Sequence, residues 1–211
     1  MPAASRLGLR ARLRAAMSTI VACALAMMLV ACSPEYDWRD VRSPGGEYWV
    51  QLPARPAIMT RRIHLEGLAV DMTMQGAKVG DNSFTVALVP LPGQAGAQSG
   101  GQSGGQAEAA GFSAERILLA MREQMLRNIG ASPSTPLEVA AVSLADVDGR
   151  KIGVMQVQAI SARGTGKRAD LQIFARFVLW QGQALQIVAI GPGLGAEASA
   201  HFLDSLRLVK R

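Results

Sequence analysis

The chain has 211 residues, of which 49% are apolar, and this length allows a single domain with a sizeable hydrophobic core. It contains two cysteines, so a small scaffold held by several disulfides is excluded. The formal net charge is +6, from 22 basic and 16 acidic residues. Without the four arginines at the N-terminus the balance is 18 to 16, or +2, and the remaining clusters of basic residues lie at or next to predicted turns: Arg61 and Arg62, Arg150 and Lys151, and Arg163, Lys167 and Arg168. Nucleic-acid binding is not expected, because it needs cations clustered on one folded face.

Residues 1–31 have the layout of a secretory signal peptide. A basic segment is followed by an apolar core, Met17–Val30, and by the small Ala31 just before Cys32. A membrane-spanning helix is the less favoured alternative, because it needs about 20 apolar residues. This apolar run is shorter and contains Ser18 and Thr19.

Leu29–Cys32, "LVAC", resembles the lipobox of bacterial lipoproteins. The resemblance implies cleavage before Cys32 and acylation of both its sulfur and its new amino group, which would attach the protein to the membrane. The alternative is an ordinary cleavage site that leaves a free cysteine. Cys23 would be removed with the signal, so the mature chain would have no disulfide.

Ser33 is the predicted sorting residue. In enterobacterial lipoproteins an aspartate after the acylated cysteine retains the protein at the inner membrane, so serine implies transfer to the outer membrane. The predicted location is therefore the bacterial cell envelope, lipid-anchored at the outer membrane and facing the periplasm. Residues 32–44, whose polar stretch is bounded by Pro34 and Pro44, are interpreted as a tether. Tyr36 and Trp38 within it are predicted either to rest at the lipid headgroups or to pack on the domain.

Residues 45–211 are predicted to form one domain that begins with an antiparallel meander. Strands are expected at 47–53 and 83–90, with a hairpin between them at 62–75 that turns at Glu66 and Gly67. Gly93–Gly111 is rich in glycine, glutamine and serine and is predicted to be a disordered loop. A helix capped by Ser113 follows and ends at Gly130.

The second half is predicted to contain two hairpins and a final helix. The hairpins turn at Asp148–Gly149 and at Gln181–Gly182. Apolar residues occupy both faces of the strand that ends at Trp180, which is typical of a strand covered on two sides. The final helix is expected at Ala196–Leu206.

The stretches "EYWVQLPARP", "AERILLAMREQMLRNI" and "FARFVLWQGQALQIVAIGPGLGAEASAHFLDSLRLV" resemble bacterial lipoproteins of the PsbP-like fold group. The resemblance implies an α+β fold, a mostly antiparallel sheet with helices packed on its faces in an α/β/α sandwich. It also implies a non-catalytic binding or assembly module. The expected partners are the membrane, through acyl chains on Cys32, and a protein or envelope component. No catalytic residue, cofactor or resident metal is expected.

Two alternative functions stay open, a carrier of a small ligand or Cu(I) and an envelope hydrolase. The carrier hypothesis depends on Met59, Met72, Met74 and His64, since thioethers suit Cu(I), although Met72 and Met74 also fit an ordinary core stripe. The hydrolase hypothesis has only weak support. Its G-x-S-x-G match, Gly101–Gly105, lies in the predicted loop, whereas the nucleophile elbow needs a strained strand-to-helix turn.

Two glycine motifs are also weak. Gly191, Gly193 and Ala196 match the dinucleotide fingerprint, but too few residues follow for a second parallel strand and a ribose-binding acid. Gly166 and Lys167 lack the rest of a P-loop. A turn and the start of a helix explain these residues better.

Overall fold

A computed structural model describes residues 35–65, 67–91 and 114–210, and of Leu68 only the backbone. The predictions for the signal peptide at 1–31, for Cys32 and Ser33, and for the loop at 93–111 lie outside these residues. The chain forms a compact unit at Tyr36–Arg211, which contains all the strands and helices given in the next paragraph.

The described residues form ten strands and two α-helices, with a short 3-10 turn at Gly166–Arg168. In chain order the elements are β1 Arg39–Arg42, β2 Tyr48–Leu52, β3 Ala57–Leu65, β4 Leu68–Val79, β5 Asn82–Pro90, α1 Ala114–Ile129, β6 Glu138–Ala145, β7 Lys151–Arg163, β8 Gln172–Trp180, β9 Gln183–Gly191, α2 Ala196–Asp204 and β10 Arg207–Val209.

All ten strands belong to one sheet, in the order β1-β2-β10-β6-β7-β8-β9-β5-β4-β3. Every neighbouring pair is antiparallel except β10 and β6, which are parallel. The sheet therefore has two edge strands, the four-residue β1 and the nine-residue β3.

The sheet curls into a half-barrel. Tyr48 on β2 donates its hydroxyl hydrogen bond to Oε1 of Gln75 on β4, over 3.0 Å, although these strands stand near opposite ends of the sheet. Both side chains are buried, and desolvation raises the pKa of the Tyr48 phenol above its ordinary range. We call the side of the sheet that carries Tyr48 and Gln75 the inner face.

Each face of the sheet has its own hydrophobic core. The inner core joins residues of β2, β5 and β9 with Phe202 and Leu206, at and just after α2. On the outer face, side chains of α1 such as Ile117 and Leu126 pack with Ile173 and with other residues of β8 and β9. Full burial of a large apolar side chain contributes about 1.5 to 3 kcal/mol, so both cores stabilise the curl.

The predicted α/β/α sandwich is wrong. The described residues contain two helices against ten strands, and the sheet is a curled half-barrel rather than a layer between helical layers. The sequence of β8 correctly indicated a strand covered on both faces. On its inner face Val178 belongs to the inner core with residues of β2, β5 and α2, and Arg176 donates to the carbonyl of Leu203.

Several local predictions are confirmed. The helix α1 ends at Ile129, and Gly130 follows it with a φ of 69°. The turn between β8 and β9 consists of Gln181 and Gly182, both with positive φ, which suits a tight hairpin. By contrast, the turn between β6 and β7 spans 146–150 instead of two residues, because Oδ1 of Asp146 accepts hydrogen bonds from two backbone N–H groups in this loop.

The N-terminal segment Tyr36–Arg42 is part of the compact unit, within the range 32–44 interpreted as a tether. Its strand β1 pairs with β2. The ring of Trp38 lies 5.6 Å from that of Tyr36, 5.9 Å from that of Phe84 and 4.3 Å from that of His201, between centroids. Tyr36 and Trp38 therefore pack on the domain, which is one of the two alternatives predicted for them.

Candidate functional site

A groove of about 340 Å³ lies on the outer face of the sheet, beside the edge strand β3. It crosses β3, β4 and β5. Its lining consists of two methionines, small and hydroxyl residues and two cations: Arg55, Ala57, Met59, Met74, Gly76, Ala77, Lys78, Ser83 and Thr85.

Strand alternation and register position these side chains. Residues two apart on a strand share a face, and Met59 on β3 stands directly opposite Met74 on β4. Next to this pair, Ala57 stands opposite Gly76, which is opposite Thr85 on β5. A Cβ at Gly76 would lie 2.5 Å from the carbonyl oxygen of Phe84, so a larger residue does not fit there. The groove is therefore deepest at Gly76, which has no side chain, and the side chains of Met59 and Met74 form one of its walls.

The edge strand β3 itself is open to solvent. Its first six residues are all exposed, including Ile58 at 57% and Met59 at 53%. Because β3 pairs only with β4, the backbone N–H and C=O groups on its other side have no strand partner among the described residues. Apolar side chains and free backbone groups thus occur together at this edge.

The electrostatics of the groove and edge are positive. Arg61 and Arg62 lie in the middle of β3, while Arg55 and Lys78 lie at the groove. Within the described ranges, none of these four cations takes part in a salt bridge. Asp71 stands opposite Arg62 in the strand register, as the one acidic residue of β3 and β4.

The structure separates the residues of the copper hypothesis. Met59, Met72 and Met74 share the outer face, and Met72 packs against the outer core. His64 belongs to the opposite face of β3, because it lies five positions after Met59 and side chains alternate between the faces. The two methionines at the groove have Arg55 and Lys78 beside them, and like charges disfavour a bound cation. In the part of the chain that the structure describes, no group of three or more His, Cys, Asp or Glu residues is arranged for a metal ion.

A second cavity, of about 380 Å³, lies at the end of α1 and has a structural explanation. Thr165 donates a side-chain hydrogen bond to the carbonyl of Gly130 over 2.5 Å, and its backbone N–H donates to the carbonyl of Ile129. The cavity's cations, Arg127 and the Lys167–Arg168 pair, lie where the negative end of the helix dipole favours them. The arrangement is a helix C-terminal cap.

The surroundings of His201 are also those of a packed side chain. Its Nε2 lies 2.7 Å from Oε1 of Gln51, and its ring lies against Trp38. The nearby hydroxyl of Ser205 donates to the carbonyl of Phe202 and accepts from the backbone N–H of Gln51. Both polar groups are thus used to hold α2 on β2.

The motif around Gly191 has the context of a turn and a helix start. Gly191 ends β9, whose neighbours β5 and β8 are both antiparallel to it, and α2 begins at Ala196. A dinucleotide site needs parallel strands on both sides of the glycine turn and helix. Gly101–Gly105 lies outside the described residues.

Comparisons with known proteins give no match, whether to family models, to curated proteins or to solved structures. Among the described residues, no helix has both the length and the apolar character needed to cross a membrane. The candidate site is therefore argued from its own geometry.

Sequence reasoning noticed the methionines of this site but missed the edge. The signal in the sequence was the mixture of exposed-type and apolar residues in "AIMTRR", which does not alternate as a half-buried strand should. That pattern fits a strand with solvent along one side. Its position at the end of the sheet follows from the pairing of distant segments.

Proposed function

We propose that this chain is a bacterial lipoprotein whose folded domain is a non-catalytic binding module at the envelope membrane. The lipobox resemblance of Leu29–Cys32 and the preceding apolar run support the anchor. The open edge of β3 with its adjoining groove is the observation that supports the binding role, because exposed backbone and apolar surface together form a recognition surface. Ser33 supports transfer to the outer membrane, with the domain in the periplasm.

The chain leaves little length between the anchor and the domain. Three residues separate Cys32 from Tyr36, where the compact unit begins. Each extended residue spans at most about 3.6 Å, so an anchored domain would work within a short distance of the bilayer. Such a module would engage partners at or near the membrane surface.

The proposed anchor is tested by changing Cys32→Ser in the full chain and following labelled palmitate and membrane fractionation. We expect the variant to lose both the label and its membrane retention, because two or more acyl chains are needed for stable anchoring. The matched control, Ser33→Asp, should keep the label and shift the protein toward the inner membrane. Unchanged membrane retention of Cys32→Ser, with the signal uncleaved, would contradict the proposal and support a spanning helix.

The binding role is tested by pull-down of the acylated protein from detergent-solubilised envelopes. A partner recovered in a fixed molar ratio is the expected result. Recovery of the protein alone, together with hydrolysis of an envelope substrate by the purified protein, would contradict a non-catalytic module.

A further inference from the structure

The two edges of the sheet differ in a way that bears on partner binding. The edge β1 has four residues, and its neighbourhood is occupied by ion pairs, between Arg39 and Asp37 and between Arg207 and Asp40. The edge β3 has nine residues, six of them exposed in succession, and its arginines have no salt bridge within the described ranges. Short, ion-paired edges resist strand addition, whereas long open edges permit it.

We infer that β3 binds an extended acidic segment of another protein as an eleventh strand of the sheet. This inference rests on the proposed binding role and names the class of partner. The main-chain hydrogen bonds would come from the free side of β3, and the groove would accept an apolar side chain of the added strand.

The apolar part of the recognition comes from the groove. Alternate side chains of the added strand point to the outer face, where their nearest neighbours on β3 are Ala57, Met59 and Arg61. Ala57 and Met59 line the groove, and Met74 stands behind Met59 on β4. A long apolar side chain opposite Ala57 or Met59 therefore reaches the groove, and flexible methionines can adapt to its shape.

The charged part comes from the two central arginines. Since Arg61 and Arg62 are consecutive, one belongs to each face of the strand. An added strand with two consecutive acidic residues would oppose one cation on each face, and directly opposite unlike charges stabilise a strand pair. Arg55 and Lys78 add positive charge at the groove. The preferred segment is therefore apolar at one end and acidic in the middle.

The same arginines argue against a second copy of this chain as the occupant. Arg61 is the central residue of Ala57–Leu65, so full antiparallel pairing of two β3 strands places Arg61 opposite Arg61. In parallel pairing the arginines of the two copies again lie side by side. Like charges directly opposite destabilise a strand pair. Pairing of β3 with a second copy of itself is therefore disfavoured, and pairing with an acidic strand is favoured.

The test uses the full chain, purified in a non-ionic detergent, and a set of capped nine-residue peptides. Each peptide alternates Leu and Thr, because the groove is proposed to accept a long apolar side chain, and a Glu-Glu pair is placed at successive positions along the set. Fluorescence anisotropy measures binding, and hydrogen exchange measures protection of the β3 amides. We expect at least one register to bind, to protect β3 amides, and to weaken as salt is raised. Peptides with Lys-Lys in place of Glu-Glu should not bind.

Charge reversal then separates strand addition from general attraction. The double variant R61E/R62E should weaken binding of the Glu-Glu peptide about tenfold or more and should bind the Lys-Lys peptide instead. The matched control K167E/R168E makes the same charge change at the exposed 3-10 turn and should alter binding less than about twofold. Cooperative thermal unfolding of both variants, with midpoints well above the assay temperature, would show that the fold is kept.

Three outcomes would overturn the inference. They are no binding at any register, equal weakening by the two double variants, and binding without protection of β3. Concentration-dependent dimerisation of the wild-type chain with protection of the β3 amides would also overturn it and would identify a second copy as the occupant. The envelope pull-down separates failure of this inference from failure of the proposed function. If a partner is recovered in a fixed ratio and photo-crosslinks form from position 139 on β6 but not from position 58 on β3, the protein is a binding module whose partner does not bind β3.

Discussion

The packing of the N-terminal segment makes a quantitative prediction for Trp38→Ala. Trp38 is partly buried and its ring contacts those of Tyr36, Phe84 and His201. Truncation of a fully buried large aromatic residue costs about 3 to 5 kcal/mol, and partial exposure reduces this to about half. The substitution also uncovers Phe84, which is 0% exposed in the folded chain, whereas the lost aromatic contacts are already contained in that truncation cost. We expect a loss of about 2 to 3 kcal/mol in the free energy of unfolding.

The measurement is urea unfolding of the full chain in non-ionic detergent, followed by circular dichroism because the variant lacks a tryptophan. The midpoint should fall while the slope stays unchanged, since the same surface is exposed on unfolding. The control Trp38→Phe retains a ring and should lose less than the alanine variant. A second control, Val139→Ala, changes a side chain that is 73% exposed and should stay within about 0.5 kcal/mol. Unchanged stability of Trp38→Ala would refute the docking and restore a free tether up to β2.

Two further predictions concern the methionines and a turn. Replacing Met72 and Met74 together by leucine should cost less than about 3 kcal/mol in urea unfolding, since the exchange conserves volume, and titration with Cu(I) should show no tight site in either protein; tight binding that disappears in the variant would show that these methionines bind Cu(I). The pKa of Asp146 is lowered, above all by the hydrogen bond from the backbone N–H of Arg150, so its ionised form stabilises the fold. This contribution is complete above the ordinary aspartate pKa, near 3.8, and is lost as the pH falls through the lowered value. Asp146→Asn keeps the acceptor oxygen but cannot ionise, so its thermal midpoint should fall less than that of the wild type between pH 5 and pH 2; parallel curves would contradict this account.

Local sequence patterns predicted most individual elements because their causes are local. Apolar residues at helical spacing and a terminal glycine predicted α1, and Gln181–Gly182 predicted the turn after β8. The hairpin of β3 and β4 was predicted from alternation, although both strands extend further than expected. The strands β1 and β10 were missed, since four and three residues are too few to show a period.

The curl and the edge could not be predicted in the same way. The strand order joins β2 to β10 and β5 to β9, which are far apart in the sequence. No local pattern encodes these pairings, and the periodicity of β8 is equally compatible with cover by helices or by a curled sheet. The position of the candidate site could not be predicted for the same reason. Met59 and Met74 were noticed for their chemistry, while their place at the end of the sheet depends on all the pairings before it.

The incomplete closure of the sheet explains why one edge remains available. A closed barrel would pair β1 with β3 and remove both edges. In this protein the approach across the curl is made by β4, whose Gln75 accepts from Tyr48 and donates to the backbone carbonyl of Arg42 on β1. Because β4 makes this contact, β3 lies beyond it at the end of the sheet, and the backbone groups on the side of β3 away from β4 have no strand partner among the described residues. The polar contact that stabilises the curl therefore also leaves the nine-residue strand β3 without a strand partner on one side.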